Sequence, residues 1–402
     1  MMIGTLNKTY RHKRRSDLFW VFLLLFFSGN PISFVSAIEY LRLTLCAVLF
    51  AHTLVAKKTI YFTAAAKFFI GLVCVIFLLQ IYHLSYFSYP AAVNILSKWF
   101  LGLFVIRKVG VNFRITYLKV MYFISIMSFI GMFFSILGYY PGVSVNDDKY
   151  LTLFFHNIHN TNKFSTRNSG MFWEPGAFQG YLMMVPLLFI DNLAVLWRRY
   201  RKHCLVLLAA LLSTFSTTGY IAFAVIMLYY VAIKLRNKFA RILLVPVLLM
   251  ALLYAYTSLD FLGEKIDKQI ERATSGNVTV DRLGSAILDW HYIKKNPITG
   301  NGLADITRYE DHLMYKELIG GFSNGFTDVV AKFGIIFIIV YFVLIYKNLP
   351  FRPMDKLFFC CMIVLLLQGE YFMDYPLFAA LPFIVINTQD ISVSINRKYR
   401  FK

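Results

Sequence analysis

The strongest constraint in this chain is a rhythm of apolar segments separated, at every second connection, by clusters of lysine and arginine. Apolar runs fall at 18–29, 34–56, 68–88, 91–106, 118–138, 175–196, 205–218, 219–233, 242–257, 326–346, 357–369 and 375–388. Lys8, Arg11, Lys13, Arg14 and Arg15 precede the first run. Lys57, Lys58 and Lys67 follow the second, and Arg107, Lys108, Arg114 and Lys119 follow the fourth. The pattern repeats with Arg198, Arg199, Arg201 and Lys202, then Lys234, Arg236, Lys238 and Arg241, then Lys347, Arg352 and Lys356. Arg397, Lys398, Arg400 and Lys402 end it. Roughly 20 apolar residues cross a hydrocarbon core of about 30 Å, and short Lys/Arg-rich loops stay cytoplasmic. The alternation therefore predicts an all-α polytopic inner-membrane protein with 10–12 transmembrane helices and both termini cytoplasmic.

Composition agrees. Of 402 residues, 58% are hydrophobic and 15% charged, against about 45–50% and about 25% in ordinary soluble domains. A soluble enzyme is excluded by that excess. The net charge of +20 would suggest nucleic acid in a soluble protein, but 27 of the 41 basic residues lie in the clusters above and read as topology. No nucleic-acid partner is expected. The first segment has the basic and apolar stretches of a signal peptide but no small-residue cleavage site, and reads as a retained helix.

The implied organisation is residues 1–138 as N-terminal transmembrane helices and 139–174 as a first long outward loop. Central helices follow over 175–257, a large outward loop over 258–325, and C-terminal helices with a cytoplasmic tail over 326–402. The large loop carries eight basic residues against ten acids, so its charge is mixed. Leu283, Ile287, Trp290 and Ile293 recur at helical spacing and predict a partly helical loop, with an amphipathic helix over 281–294. Glu264 and Lys268 form a favourable i,i+4 pair in the same loop. The outward loops contain no cysteine, so no disulfide framework is expected there.

Three stretches could carry chemistry. The first runs from Arg167 through Trp173, Glu174, Pro175 and Gly176 to Phe178. Pro175 suits the first turn of a helix, which puts Glu174 at a positive dipole end. A guanidinium, an acid and open helix N–H groups then stand close together, an arrangement that suits an anionic ligand such as a diphosphate. The competing reading is an interfacial turn, with Trp173 as membrane anchor and Glu174 as helix cap. The second stretch is the large loop, where Arg282 and Arg308 could hold phosphates bidentately. There His312 could act as a general base, and the glycines of Pro297–Gly302 fit a tight turn or a backbone approach to a ligand. The third, Ser323-Asn324-Gly325-Phe326, marks re-entry into the membrane and fits a helix start. Glu39, Arg42, His83, Lys98, Lys332, Glu370 and Asp374 are the embedded ionisable groups, and intramembrane charge defaults to a functional hypothesis. Glu39 and Arg42, three residues apart, could neutralise each other. No D-x-D pair occurs, so no metal site of that type is expected.

Together these features resemble the O-antigen polymerase and ligase superfamily, the Wzy-type polysaccharide polymerases in particular. The resemblance rests on Arg167-x-x-Gly170-x-Phe172-x-Glu174-Pro175-Gly176, on Ser213–Gly219, on Arg282…Trp290…Asn296-Pro297-Ile298-x-Gly300-x-Gly302, and on Ser323–Phe326 with Gly334. It implies a glycosyltransferase joining undecaprenyl-diphosphate-linked oligosaccharide repeat units on the outer face of the inner membrane, without metal or other cofactor. Membrane lipid, a chain-length regulator and a flippase are the implied partners. It further implies Glu174 and His312 as catalytic residues, and Arg167, Arg282, Trp290, Arg308 and Asn324 as substrate-binding residues. Trp173, Trp290 and Phe172 would stack on sugars. Ligases of this superfamily commonly carry His-Asn where this chain has Ser323-Asn324, which favours the polymerase over the ligase; a lipid-linked oligosaccharide flippase is a third expectation.

Overall fold

The computed structural model describes residues 2–55, 63–138, 143–144, 150–152, 154–159, 167–235, 237–258, 282–309 and 324–386. Within them the chain is an α-helical, multi-pass membrane protein. Helices run over Met2–Phe27 (α1), Ser36–Val55 (α2), Ala64–His83 (α3), Tyr89–Val109 (α4) and Phe113–Ile136 (α5). They continue over Pro175–Leu188 (α6), Leu193–Ser213 (α7), Thr217–Tyr229 (α8) and Lys238–Ser258 (α9). Arg282–Lys295 (α10) and Ile306–Tyr309 (α11) belong to the large loop. Gly325–Asn348 (α12), Pro353–Gly369 (α13) and the single turn Pro376–Ala379 (α14) follow among the described residues.

Four stretches among the described residues are long and apolar enough to cross a membrane: Ala64–His83, Tyr89–Ile136, Thr217–Lys234 and Gly325–Asn348. The second joins α4 and α5 through Gly110, whose positive φ turns the chain at the basic Arg107–Lys108 end. Large apolar side chains stand outward on these helices, Leu78, Phe133 and Ile339 among them. Water would penalise that surface, whereas hydrocarbon does not. Helix starts follow local chemistry: the Thr63 and Ser88 hydroxyls accept from the Ala66 and Ala91 amides at the heads of α3 and α4.

Several sequence expectations are corrected. The apolar run at 375–388 is not a span in its described part. Pro382 denies it a continuous helical ladder, and it folds as α14 and 3-10 turns, with Leu377–Phe383 almost fully buried. Buried rings satisfy the carbonyls freed in this broken region: Trp99 Nε1 donates to Met373 O at 3.0 Å and the Tyr341 hydroxyl to Phe378 O at 2.6 Å. The expected run 175–196 is interrupted at 189–192, so Arg198–Lys202 lies within α7, which kinks at Tyr200, and not in a loop. Arg114, one of the basic residues that follow the fourth run, does not face solvent. It is buried in the first turn of α5, 3.3 Å from Asp191 and over the Phe189 ring. In the loop over 139–174, short strands at Val143–Ser144, Tyr150–Thr152 and Asn157–His159 pair antiparallel in chain order.

Helix α10 forms where the periodicity places it, but its buried face differs. Ser285, Leu288, Asp289, Tyr292 and Ile293 are buried, while Ile287 and Trp290 are exposed. Polar bonds to α12 and to the following turn set that orientation: the Thr327 hydroxyl of α12 donates to Asp289 at 2.6 Å, and Asn301 Nδ2 of the turn donates to Tyr292 O at 2.8 Å. The following turn, Pro297–Gly302, wedges into α12, which breaks at Gly334 with φ +82°. Backbone bonds cross the break, from Asn301 N to Ala331 O (2.8 Å), Gly302 N to Lys332 O (3.2 Å) and Ile335 N to Pro297 O (2.8 Å). Gln80 of α3 clamps both sides, donating to Thr299 O and Lys332 O. The glycines of this turn therefore serve backbone-to-backbone packing, since a Cβ at Gly300 would overlap the Lys332 carbonyl. Irregular backbone is tolerated in such a helix because protein buries and satisfies it.

Candidate functional site

The chain reverses between α7 and α8 at Thr214–Ser216, where Phe215 adopts φ +45°. Ending α7 there frees its last carbonyls. The loop preceding α6 fills them: Asn168 N donates to Ser213 O at 2.8 Å and Arg167 Nε to Thr214 O at 3.0 Å. Asn168 also bonds the Ser128 and Ser213 hydroxyls, and its own Oδ1 accepts from Gly170 N at 2.9 Å. Gly170, at φ +57°, lies against the Phe178 ring with no room for a Cβ. Asn157 of the third strand closes the motif by donating to Trp173 O at 2.9 Å. The stretch from Arg167 to Glu174 is thus pinned along its length before α6 begins.

Glu174 holds the N-cap position of α6, yet its side chain makes no capping bond. The cap reading is corrected on that ground. Its carboxyl instead meets Glu370, which follows α13. Glu370 joins four helix beginnings. Its carboxyl lies against Gly176 of α6, 3.5 Å from the Arg282 guanidinium at the start of α10, and its backbone packs on Gly325, the first residue of α12. Arg282 Nη1 donates to Thr218 Oγ1 of α8 at 2.8 Å, and Gly369 packs on the same threonine. Positive dipole ends and two guanidiniums therefore surround a pair of carboxyls at the mouth of the helices. Burial, then the neighbouring Glu174, push the Glu370 carboxyl well above the usual range, against the pull of Arg282. Arg167 feels Glu174, Arg282 and Glu370 together, although burial is the larger influence and lowers its pKa. A guanidinium so placed stays charged. Nearby on α6 and α8, the buried amide of Gln179 and hydroxyl of Thr217 have no hydrogen-bond partner among the described residues.

The fold thus brings together Arg167, Glu174 and Arg282, which are more than a hundred residues apart at the extremes. It adds Glu370, known from sequence only as an embedded charge. The signal that could have found it is Gly369-Glu370, a glycine ending an apolar helix directly before an acid. Other expected residues lie elsewhere. Arg308 is buried, with Asp328 at 2.5 Å and Asp305 at 3.1 Å. Asp328 also holds Lys332 at 2.6 Å, and Lys332 reaches Asp374 at 2.9 Å. Arg308 is thereby committed to a structural ion cluster. Asp328→Ala should remove the buried acid that two cations share, leaving Arg308 with Asp305 and Lys332 with Asp374 alone, and destabilise the protein by about 3 kcal/mol, measured as thermal unfolding in detergent micelles; an unchanged midpoint would refute the role. Asn324 caps α12, its Oδ1 accepting from Phe326 N and Thr327 N, each at 3.2 Å. Trp290 is exposed beneath Lys294. Phe172 cannot meet a sugar, because it is fully buried and stacks on Tyr181 at 4.2 Å. Trp173 stacks on Tyr375 at 4.7 Å beside the carboxyl pair. Glu39 and Arg42 do pair, at 3.4 Å, with Asn94 bonded to both. His312, Ser323, Glu264 and Lys268 lie outside the described residues. The imidazole of His156, in the first loop, is pushed down to about 4 by burial and stays neutral.

Residues 203–368 match a family model described as O-antigen ligase. The matched stretch runs from within α7 to the end of α13; it contains Arg282 and Thr218 and stops just before Glu370. No curated protein and no solved structure matches the chain.

Proposed function

We propose that this chain polymerises lipid-diphosphate-linked oligosaccharide repeat units into a surface polysaccharide at the outer face of the inner membrane. The observation that carries the reading is the convergence of Arg167, Arg282 and Glu174 on four helix beginnings. In the reaction, the acceptor's sugar hydroxyl attacks the anomeric carbon of the donor glycan. The bond from that carbon to the diphosphate breaks, and its electron pair leaves on the diphosphate oxygen. Arg167 and Arg282, with the helix N-termini, hold the diphosphate and stabilise the charge that grows as it departs. Glu174 takes the hydroxyl proton. Trp173, on the edge of the pair, offers a flat face to a sugar.

The similarity of residues 203–368 to the O-antigen ligase family supports glycosyl transfer from a lipid-linked glycan. Within that chemistry a ligase, which moves finished glycan to a lipid acceptor, is the second reading. Serine at 323, where ligases commonly carry histidine, favours the polymerase. A strain lacking the gene separates them. The polymerase reading expects the long-chain ladder to collapse to single repeat units on the lipid core. Complete loss of surface glycan would instead support the ligase, or a flippase acting upstream.

A further inference from the structure

The reaction above needs one base, yet the site presents two carboxyls in hydrogen-bond contact. Glu174 comes from the head of α6 and Glu370 from the end of α13, and Gly176 lies against both. The residues around them are specific. Arg167 faces the pair from the first loop, Trp173 bonds Glu370, and Arg282 reaches Glu370 from α10 while bonded to Thr218 of α8. Helix α12 meets Glu370 through Gly325, while its Asp328 and Lys332 are paired with Arg308 and Asp374. Glu370 is almost fully buried. Burial and the neighbouring carboxyl of Glu174 both disfavour a second anion at Glu370, against the pull of Arg282.

We propose that Glu174 and Glu370 act as one acid–carboxylate pair, in which Glu370 keeps the proton and donates it as a hydrogen bond that aims Glu174 at the acceptor hydroxyl. Glu370 is then a positioning residue. Glu174 is the catalytic one, and Arg282 ties the pair to the diphosphate site by reaching Glu370 from the same guanidinium that meets the leaving group. During transfer the hydroxyl proton passes to Glu174, the new glycosidic bond forms, and the diphosphate leaves with the electron pair. The proton then goes to solvent, restoring the singly protonated pair. This inference rests on the polymerase reading for its reaction but not for its proton.

Its physical consequence is an alkaline limb. As pH rises through the pair's upper titration, Glu370 loses its proton, the donated hydrogen bond is lost, and two anions repel. Chain extension should therefore fall at high pH, with an apparent pKa that belongs to the pair. The test uses the full chain in phospholipid nanodiscs, with lipid-diphosphate-linked repeat units as substrate and E370Q, E370A and E174Q as variants. Infrared difference spectra of wild type against E370Q should show a protonated-carboxyl stretch near neutral pH in the wild type alone. E370A, which leaves Glu174 unaimed, should lower kcat about 10²-fold. E370Q, whose amide can still donate, should recover most of that loss and lack the alkaline limb. E174Q should lose about 10²–10⁴-fold at every pH. An unchanged alkaline limb in E370Q, or no carboxyl band in the difference spectrum, overturns the pair. Failure of the wild type to extend chains would overturn the polymerase reading instead, and the infrared band would still decide the pair.

Discussion

Arg282→Ala should reduce chain extension by about 10²–10³-fold, the scale seen when one pre-set stabiliser of developing charge is removed. The guanidinium stands at the first residue of α10, bonded to Thr218 and 3.5 Å from Glu370. The contacts that fix it, to Thr218 and Glu370, are made by its polar end. Insertion and thermal stability should therefore stay near wild type while activity falls. Arg282→Lys should recover little, since an ammonium cannot reach Thr218, Glu370 and a phosphate oxygen with one planar fork. Arg167→Ala should show the same loss, with some added mobility in the preceding loop because its bond to Thr214 O is also lost. Glycan ladders from complemented strains, compared with protein levels in the membrane, give the measurement. Wild-type ladders from both alanine variants would sink the diphosphate assignment.

Gly334→Ala should be the most damaging single substitution in the fold, costing more than about 5 kcal/mol. Changes above about 4–5 kcal/mol are exceptional and need a named cause, and two causes coincide here. The residue sits at φ +82°, where alanine is strained. Its new Cβ would overlap the Ile298 carbonyl oxygen, a backbone atom that cannot swing aside. The Pro297–Gly302 wedge would have to withdraw, taking its bonds from Ala331 O and Ile335 N and leaving Lys332 O with Gln80 alone. Each buried unsatisfied group adds about 1–3 kcal/mol. Hydrogen exchange in nanodiscs would read this directly as lost protection over 297–302 and 331–335. Wild-type protection in a stable variant would show that the wedge is not what holds the break.

The guanidiniums and Glu174 are legible in the sequence because their signals are local: an arginine before a helix start, a proline that fixes that start, and an acid between them. The helix from Arg282 to Lys295 is legible for the same reason, since periodicity depends only on neighbouring residues. Its orientation is not, and Ile287 and Trp290 face outward because Asp289 and Tyr292 bond to partners on α12 and the following turn. Arg308 and Arg282 look alike in a linear reading, as arginines of one outward loop. Tertiary packing separates them, enclosing Arg308 against Asp328 and leaving Arg282 beside the carboxyl pair.

The alternation of apolar segments and basic clusters was enough by itself to determine a helical membrane protein, because hydrocarbon demands internally satisfied backbone over a fixed length. Only the tertiary structure decided where helices break, which face of α10 is buried, and that Glu370 meets Glu174. Those depend on groups distant in sequence satisfying one another's hydrogen bonds and charge. The apolar run at 375–388 shows the difference most plainly. Its hydropathy is that of a span, but its prolines and the buried rings of Trp99 and Tyr341 make its described part a packed, broken turn that sets Tyr375 beside Trp173 at the edge of the site.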